Sequence, residues 1–169
     1  MKTLIVCVSV SHGNTEKVAR AIGEELGATV VAPEDVDVAS LGEYDLVGFG
    51  SGIFSMAFHP RLRDFVRELP VEPRAKAFLF WTSGAAELPF WSYKGPMIRV
   101  LESKGFDVVD TFSCRGFDTW LPLRVVGGLN KGRPNPADLA AARSFATSIR
   151  GRMQPRATPR KRARAAAKG

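Results

Sequence analysis

Seven consecutive residues, Ser9-Val10-Ser11-His12-Gly13-Asn14-Thr15, hold five polar side chains and one glycine. Small hydroxyls, an amide and a flexible backbone are groups that wrap an anion. They offer O–H donors, backbone N–H groups and, where a helix follows, a helix N-terminus. No Lys or Arg lies inside the stretch, so such a site suits a phosphate monoester held by neutral donors. A plainer reading is helix capping by Asn14 or Ser11. Capping accounts for one such residue and leaves the density of polar groups unexplained.

Two elements must position this stretch. The apolar run Leu4-Ile5-Val6-Cys7-Val8 reads as a buried strand over residues 3–9. Residues 14–26 carry apolar side chains at helical spacing, and Gly27 stops that helix. The polar stretch is therefore a tight strand-to-helix turn. Thr29-Val30-Val31-Ala32 predicts a short second strand, followed by a loop over 33–43 anchored by Val36, Val38 and Leu41. Tyr44 to Gly50 predicts a third strand, with a continuous apolar run from Leu46 on as parallel strands have. Pro60 to Leu69 predicts a helix with Pro in its first turn. Ala75 to Thr82 predicts a fourth strand, Met97 to Lys104 a third helix, and Phe106 to Cys114 a fifth strand. A long Gly- and Pro-containing connection spans 115–135, a length usually tied to function. Asn135-Pro136-Ala137-Asp138 opens a last helix running to about residue 149. The alternation makes the class α/β with a parallel five-stranded sheet.

Other phosphate-binding turns fail on residues. A Walker A loop needs Gly-Lys-Ser/Thr, whereas Gly13 is followed by Asn14-Thr15. A Gly-x-Gly-x-x-Gly fingerprint is absent from this turn. A low-molecular-weight phosphatase loop needs Arg six positions after its Cys, where Cys7 is followed by Gly13. A receiver domain needs acids at the end of strand one, where this chain has Val8 and Ser9. The sequence Ser-x-Ser-His-Gly-Asn-Thr-Glu-Lys-Val-Ala after a first strand resembles the FMN-phosphate loop of the flavodoxin-like family. The resemblance covers residues 3–149 and implies a three-layer sandwich with strand order 2-1-3-4-5. In that order the loops after strands one, three, four and five converge at the carboxyl ends, where ligands sit.

The resemblance implies non-covalent FMN, with its phosphate on Ser9, Ser11, His12, Gly13, Asn14 and Thr15. The loop after strand three, Gly50 to His59, places Ser51, Gly52 and Phe54 at the flavin, with Phe54 or Phe58 as a wall. The spacing Gly48-x-Gly50-x-Gly52 lies on strand three with no helix directly after it. Close backbone approach to a flat ring therefore fits better than a dinucleotide motif. Thr82, Ser83 and Gly84 match the family's ring-binding loop in position and character, and Trp91 is a stacking candidate beside Phe90 and Tyr93. Phe117 and Trp120 come from the loop after strand five. The segments 116–120 and 127–135 resemble one subgroup of standalone flavodoxin-family domains. Core packing is the competing reading for each aromatic. His59, before Pro60, reads as a turn residue. Two His and two Cys without ligand spacing make no metal site, and no Ser-His-Asp order is evident.

The formal charge of +7 comes from one end. Residues 150–169 hold eight of the 24 cations and no acid, so the remaining 16 cations face 17 acids over residues 1–149. With the resemblance, this charge split implies two regions: a flavodoxin-like FMN-binding domain over 1–150 and a basic tail over 151–169, too polar to offset its ordering entropy and expected to be disordered. The tail would contact polyanions, if at all, without sequence specificity. Two Cys make no disulfide framework, no run is long enough to span a bilayer, and no signal peptide is evident, so the expected compartment is the cytoplasm. The implied function is electron transfer, as a carrier or a small FMN-dependent reductase. The partner would be a redox protein or a small acceptor that the sequence does not identify. The alternative is a flavodoxin-fold binding or regulatory module without redox activity.

Overall fold

Five parallel strands in the order β2-β1-β3-β5-β6 build the sheet of the computed structural model, which describes residues 1–10, 12–71, 75–84, 92–117 and 130–153. They are β1 (Thr3–Val8), β2 (Thr29–Val31), β3 (Leu46–Phe54), β5 (Lys76–Ser83) and β6 (Asp107–Arg115). A further two-residue strand, β4 (Ala57–Phe58), pairs antiparallel with the end of β3. The strand order is the one expected from the sequence.

Alternation along each strand sorts the side chains into two cores. Leu4, Val6 and Val8 of β1 join Val47, Phe49, Leu79 and Trp81 beneath α2 (Pro60–Glu68) and α3 (Lys94–Ser103). Ile5 and Cys7 of β1 join Leu46, Phe78 and Phe80 beneath α1 (Asn14–Leu26) and α4 (Pro136–Met153). The result is three layers, helix pairs on both faces of a buried sheet. Leu41 is buried, with Val36 and Val38 packed beside it, so the predicted anchors of the 33–43 segment hold two 3-10 turns in place.

The ends of β3 and α4 differ from expectation, each for a local reason. β3 runs on to Phe54 because its residues keep finding partners: Ser51 pairs with Val8 and Trp81, Gly52 with Thr82, and Ile53 and Phe54 with Phe58 and Ala57 of β4. Ser51 and Gly52 therefore lie on a strand, not on a loop. After it the chain turns in two residues, Ser55 (φ 47°) and Met56 (φ 63°), and returns as β4. Two successive left-handed residues match a tight hairpin turn, and neither is the Gly or Asn that signals one. At the far end α4 continues to Met153, which packs against the α1/α4 core. Residues 151–153, assigned to the tail from sequence, belong to that helix.

The glycines of β3 also serve differently from expectation. A Cβ on Gly48 would lie 2.3 Å from Phe78 Cζ, and one on Gly50 would lie 2.1 Å from Phe80 Cζ. The flat rings these two glycines admit are the chain's own.

The first turn of α4 is locked by a reciprocal cap. Asn135 Oδ1 accepts from the Asp138 N–H at 3.0 Å, and Asp138 Oδ2 accepts from the Asn135 N–H at 2.8 Å. Pro136 at the first helical position loses no bond by lacking an N–H. This cap anchors the end of the long connection that returns from β6.

Candidate functional site

At the carboxyl end of the sheet, β1 hands over to α1 through His12 and Gly13. His12 (φ 55°) and Gly13 (φ 64°) are both left-handed, and the helix starts at Gly13 without a side-chain cap there. The capping reading for Asn14 is overturned: Asn14 lies inside the helix, and the hydroxyl that caps is Ser9, whose Oγ accepts from the Glu16 N–H at 3.2 Å. The first N–H groups of a helix have no partner within it. Ser9 meets that of Glu16.

Asn14 and Thr15 are buried, with 6% and 2% of their surface exposed, which is uncommon for polar side chains at a helix start. Asn14 Nδ2 donates to the Phe117 carbonyl at 2.8 Å. Its Oδ1 is buried and has no hydrogen-bond partner among the described residues. Thr15 Oγ1 and Thr82 Oγ1 lie 2.8 Å apart and share one hydrogen bond. Two hydroxyls carry two protons, so the pair retains one O–H to donate elsewhere. Gly116 packs against this group so closely that a Cβ would sit 3.1 Å from Asn14 Nδ2 and 3.3 Å from Thr82 Cβ.

The predicted residues thus divide. Ser9, His12, Gly13, Asn14, Thr15, Thr82 and Phe117 are brought together, with the His12 and Phe117 rings 4.6 Å apart. Gly52 joins them, since a Cβ there would meet Phe54 at 3.3 Å and Thr15 Oγ1 at 3.9 Å. Ser83 ends β5, with Gly84 just after it, beside Gly116, whose N–H donates to the Ser83 carbonyl at 3.1 Å. Phe54 is exposed near the β3–β4 turn, edge-on to His59 at 5.0 Å, whereas Phe58 is core, edge-on to Trp81. Ser51 is fully buried: its hydroxyl donates to the Gly52 carbonyl at 2.8 Å and accepts from the His59 N–H at 3.0 Å. That hydroxyl shapes the hairpin. Ser11, Trp91 and Trp120 lie outside the described residues.

His59 caps α2, its Nδ1 accepting from the Arg61 N–H at 3.2 Å, which agrees with its reading as a turn residue. Partial burial, then the charges of Arg61 and Arg63, hold its pKa below the ordinary histidine value. Burial pushes the Cys7 thiol up to about 12, with Glu16 adding to the effect. Burial does the same to Cys114, also to about 12, where Asp138 outweighs Arg133. Neither thiol is a nucleophile at neutral pH. Among the described residues no group of three His, Cys, Asp or Glu side chains could hold a metal, and no helix is long and apolar enough to cross a membrane. A hollow of about 20 Å³ between Leu41, Leu69, Ala75 and Phe106 sits at the amino ends of the strands, away from this cluster.

Gly116 and Asn130 fall within the segments that resemble the subgroup, but nothing in the sequence assigns either to the site. Asn130 Nδ2 donates to the Gly84 carbonyl at 2.7 Å and reaches the Gly116 carbonyl at 3.4 Å. The only local signal was an Asn-Lys-Gly turn, which says nothing of partners so distant in the chain.

Comparison with known proteins follows the same lines. The family described as "Flavodoxin domain" matches residues 5–112. A protein of Methanocaldococcus jannaschii, itself described as uncharacterised, is 38% identical over 149 residues, 88% of this chain and 98% of that one. Among solved structures, a flavodoxin from the domain Archaea superposes with a TM-score of 0.65 at 21% identity, over 90% of this chain and 99% of the other. Oxidised Flavodoxin 2 from Bacillus cereus gives 0.66 at 20% identity, over 90% and 99%. Rubredoxin oxygen:oxidoreductase from Desulfovibrio gigas gives 0.65 at 17% identity, over 90% of this chain but 36% of that one.

Proposed function

Because the chain belongs to the flavodoxin family, we propose that it binds FMN non-covalently and transfers electrons, as a carrier or as a small FMN-dependent reductase. The carrying observation is the arrangement at the start of α1: a left-handed Gly13 without a side-chain cap, a buried Thr15–Thr82 hydroxyl pair, and a buried Asn14 Oδ1 lacking a donor. A buried polar atom left without a partner costs about 1–3 kcal/mol. FMN meets both needs, with a phosphate for the N–H and O–H donors and ribityl hydroxyls for the acceptor. The residues present therefore fit the group.

Bound FMN supplies one- and two-electron transfer, and the protein tunes it by packing, hydrogen bonds and nearby charge. The chain's own part is to bind and orient. The helix start and the neutral hydroxyls hold a dianion without a cation, favouring FMN over riboflavin. The backbones at Gly84 and Gly116 border the place for the ring, and exposed Phe54 offers an aromatic wall on the β3–β4 side. Simple electron transfer asks none of these groups to move a proton.

The test is colour and reconstitution. Purified protein should carry a yellow chromophore that acid precipitation releases as FMN, and FMN alone should restore the absorption bands to apoprotein. A colourless protein that leaves the FMN spectrum and fluorescence unchanged would reject the redox reading in favour of a binding module.

A further inference from the structure

Hydrogen bonding between β5 and β6 runs out where a ligand site would begin. The last paired residues are Ser83 and Arg115, followed by one backbone bond from the Gly116 N–H to the Ser83 carbonyl at 3.1 Å. Beyond it the carbonyls of Gly84 and Gly116 have left the ladder. Both are met by one side chain, as Asn130 Nδ2 lies 2.7 Å from the first and 3.4 Å from the second. A primary amide carries two N–H donors and can serve two carbonyls at once.

Asn130 is itself held. Its backbone is left-handed, φ 58°, a conformation Asn tolerates better than most residues. Its carbonyl accepts from the Arg133 N–H at 3.0 Å, closing a turn. The Arg133 carbonyl accepts from the Phe117 N–H at 3.2 Å, and its guanidinium pairs with Asp138 at 2.5 Å inside the α4 cap. The amide is thus presented from the start of α4 to the carbonyls of Gly84 and Gly116 together.

We propose that Asn130 is a positioning residue of the flavin site, clamping the Gly84 and Gly116 loops at the separation that the isoalloxazine ring requires. The inference rests on the FMN reading above and adds a residue and a division of labour: Thr15 and its neighbours recognise phosphate, and Asn130 sets the ring pocket. Losing the clamp must therefore weaken FMN and riboflavin alike, which no defect confined to the phosphate loop does.

The test uses the full chain with Asn130→Asp and Asn130→Gly. Both tolerate the left-handed backbone and both remove the amide donor, so a folding defect peculiar to one is exposed by the other. Kd for FMN and for riboflavin, the visible band of the bound flavin, and thermal unfolding of apoprotein are measured together. Both variants should raise both Kd values by about three- to tenfold, the span expected for one to two net hydrogen bonds. Their FMN-to-riboflavin ratio should be unchanged, and the bound-flavin band should move. Thermal destabilisation with both Kd values within about twofold of wild type would make Asn130 purely structural and overturn the proposal. So would a loss confined to FMN. A wild-type protein that binds neither flavin would reject the FMN reading, and this inference with it.

Discussion

Gly48, Gly50 and Gly52 sit on alternate positions of β3 and share one face, yet they do different work. Opposite the first two, β5 places Phe78 and Phe80, whose rings fill the space a side chain would need. Opposite the third it places Thr82, and the space beside Gly52 is bordered by Thr15 Oγ1 and the exposed Phe54. Two glycines let the core close, and the third leaves room at the edge where α1 begins. The residue on the neighbouring strand decides which. Burial follows the same gradient, from fully buried Phe78 and Phe80 to a Phe54 that is 37% exposed.

The largest effect should separate these two uses. Gly50→Ala puts a methyl 2.1 Å from Phe80 Cζ in a ring with no room to retreat. Overpacking a closed core costs about 1–3 kcal/mol, occasionally more, so urea denaturation should show a loss at or above that range. Gly52→Ala meets Phe54 at 3.3 Å, and an exposed ring can give way. Its stability loss should stay below about 1 kcal/mol, while the proposed FMN site predicts an affinity loss of about a decade, from a methyl on the side of the strand assigned to the ligand. Equal stability losses for the two variants would break the comparison.

Phe54→Ala should act less strongly. An aromatic contact is worth about 0.5–1.5 kcal/mol beyond its area, so FMN and riboflavin should both weaken by roughly two- to tenfold, with a shift in midpoint potential. Unchanged affinity and potential would leave Phe54 outside the site.

The smallest effect concerns His59. Its folded pKa lies below the ordinary 6.5, so the native state binds fewer protons than the unfolded one and stability rises with pH through that window. That contribution is full above pH 6.5 and is lost as pH falls through the lower folded pKa, where a protonated Nδ1 can no longer accept from the Arg61 N–H. Denaturation midpoints on either side of pH 6.5 should show a small loss at the acid side. His59→Asn, which keeps a cap but does not titrate, should lack that component.

What the sequence made legible was local. Apolar runs marked the five strands, the resemblance carried by the first loop implied their order, and the polar density of residues 9–15 marked the start of α1. Less legible was whatever depended on distant partners. The β3–β4 hairpin turns on Ser55 and Met56, which carry no turn signature. The glycine spacing on β3 was ambiguous until Phe78 and Phe80 appeared opposite it. Asn130 acts on carbonyls 46 and 14 residues away, a pairing only the fold creates. The plainer alternative for Asn14, a local cap, fails in the same way: its amide donates to the Phe117 carbonyl, 103 residues downstream.

The central claim is that the start of α1 recognises a terminal phosphate. Titrating wild type and Thr15→Ala with FMN and with riboflavin tests it most directly. Thr15→Ala removes a hydroxyl expected to donate to a charged oxygen, a loss of about 1.5–3 kcal/mol. FMN should therefore bind roughly ten- to a hundredfold more weakly, while riboflavin, without a phosphate, is nearly indifferent. Equal losses for both ligands, or none for either, would contradict a phosphate site at the start of α1.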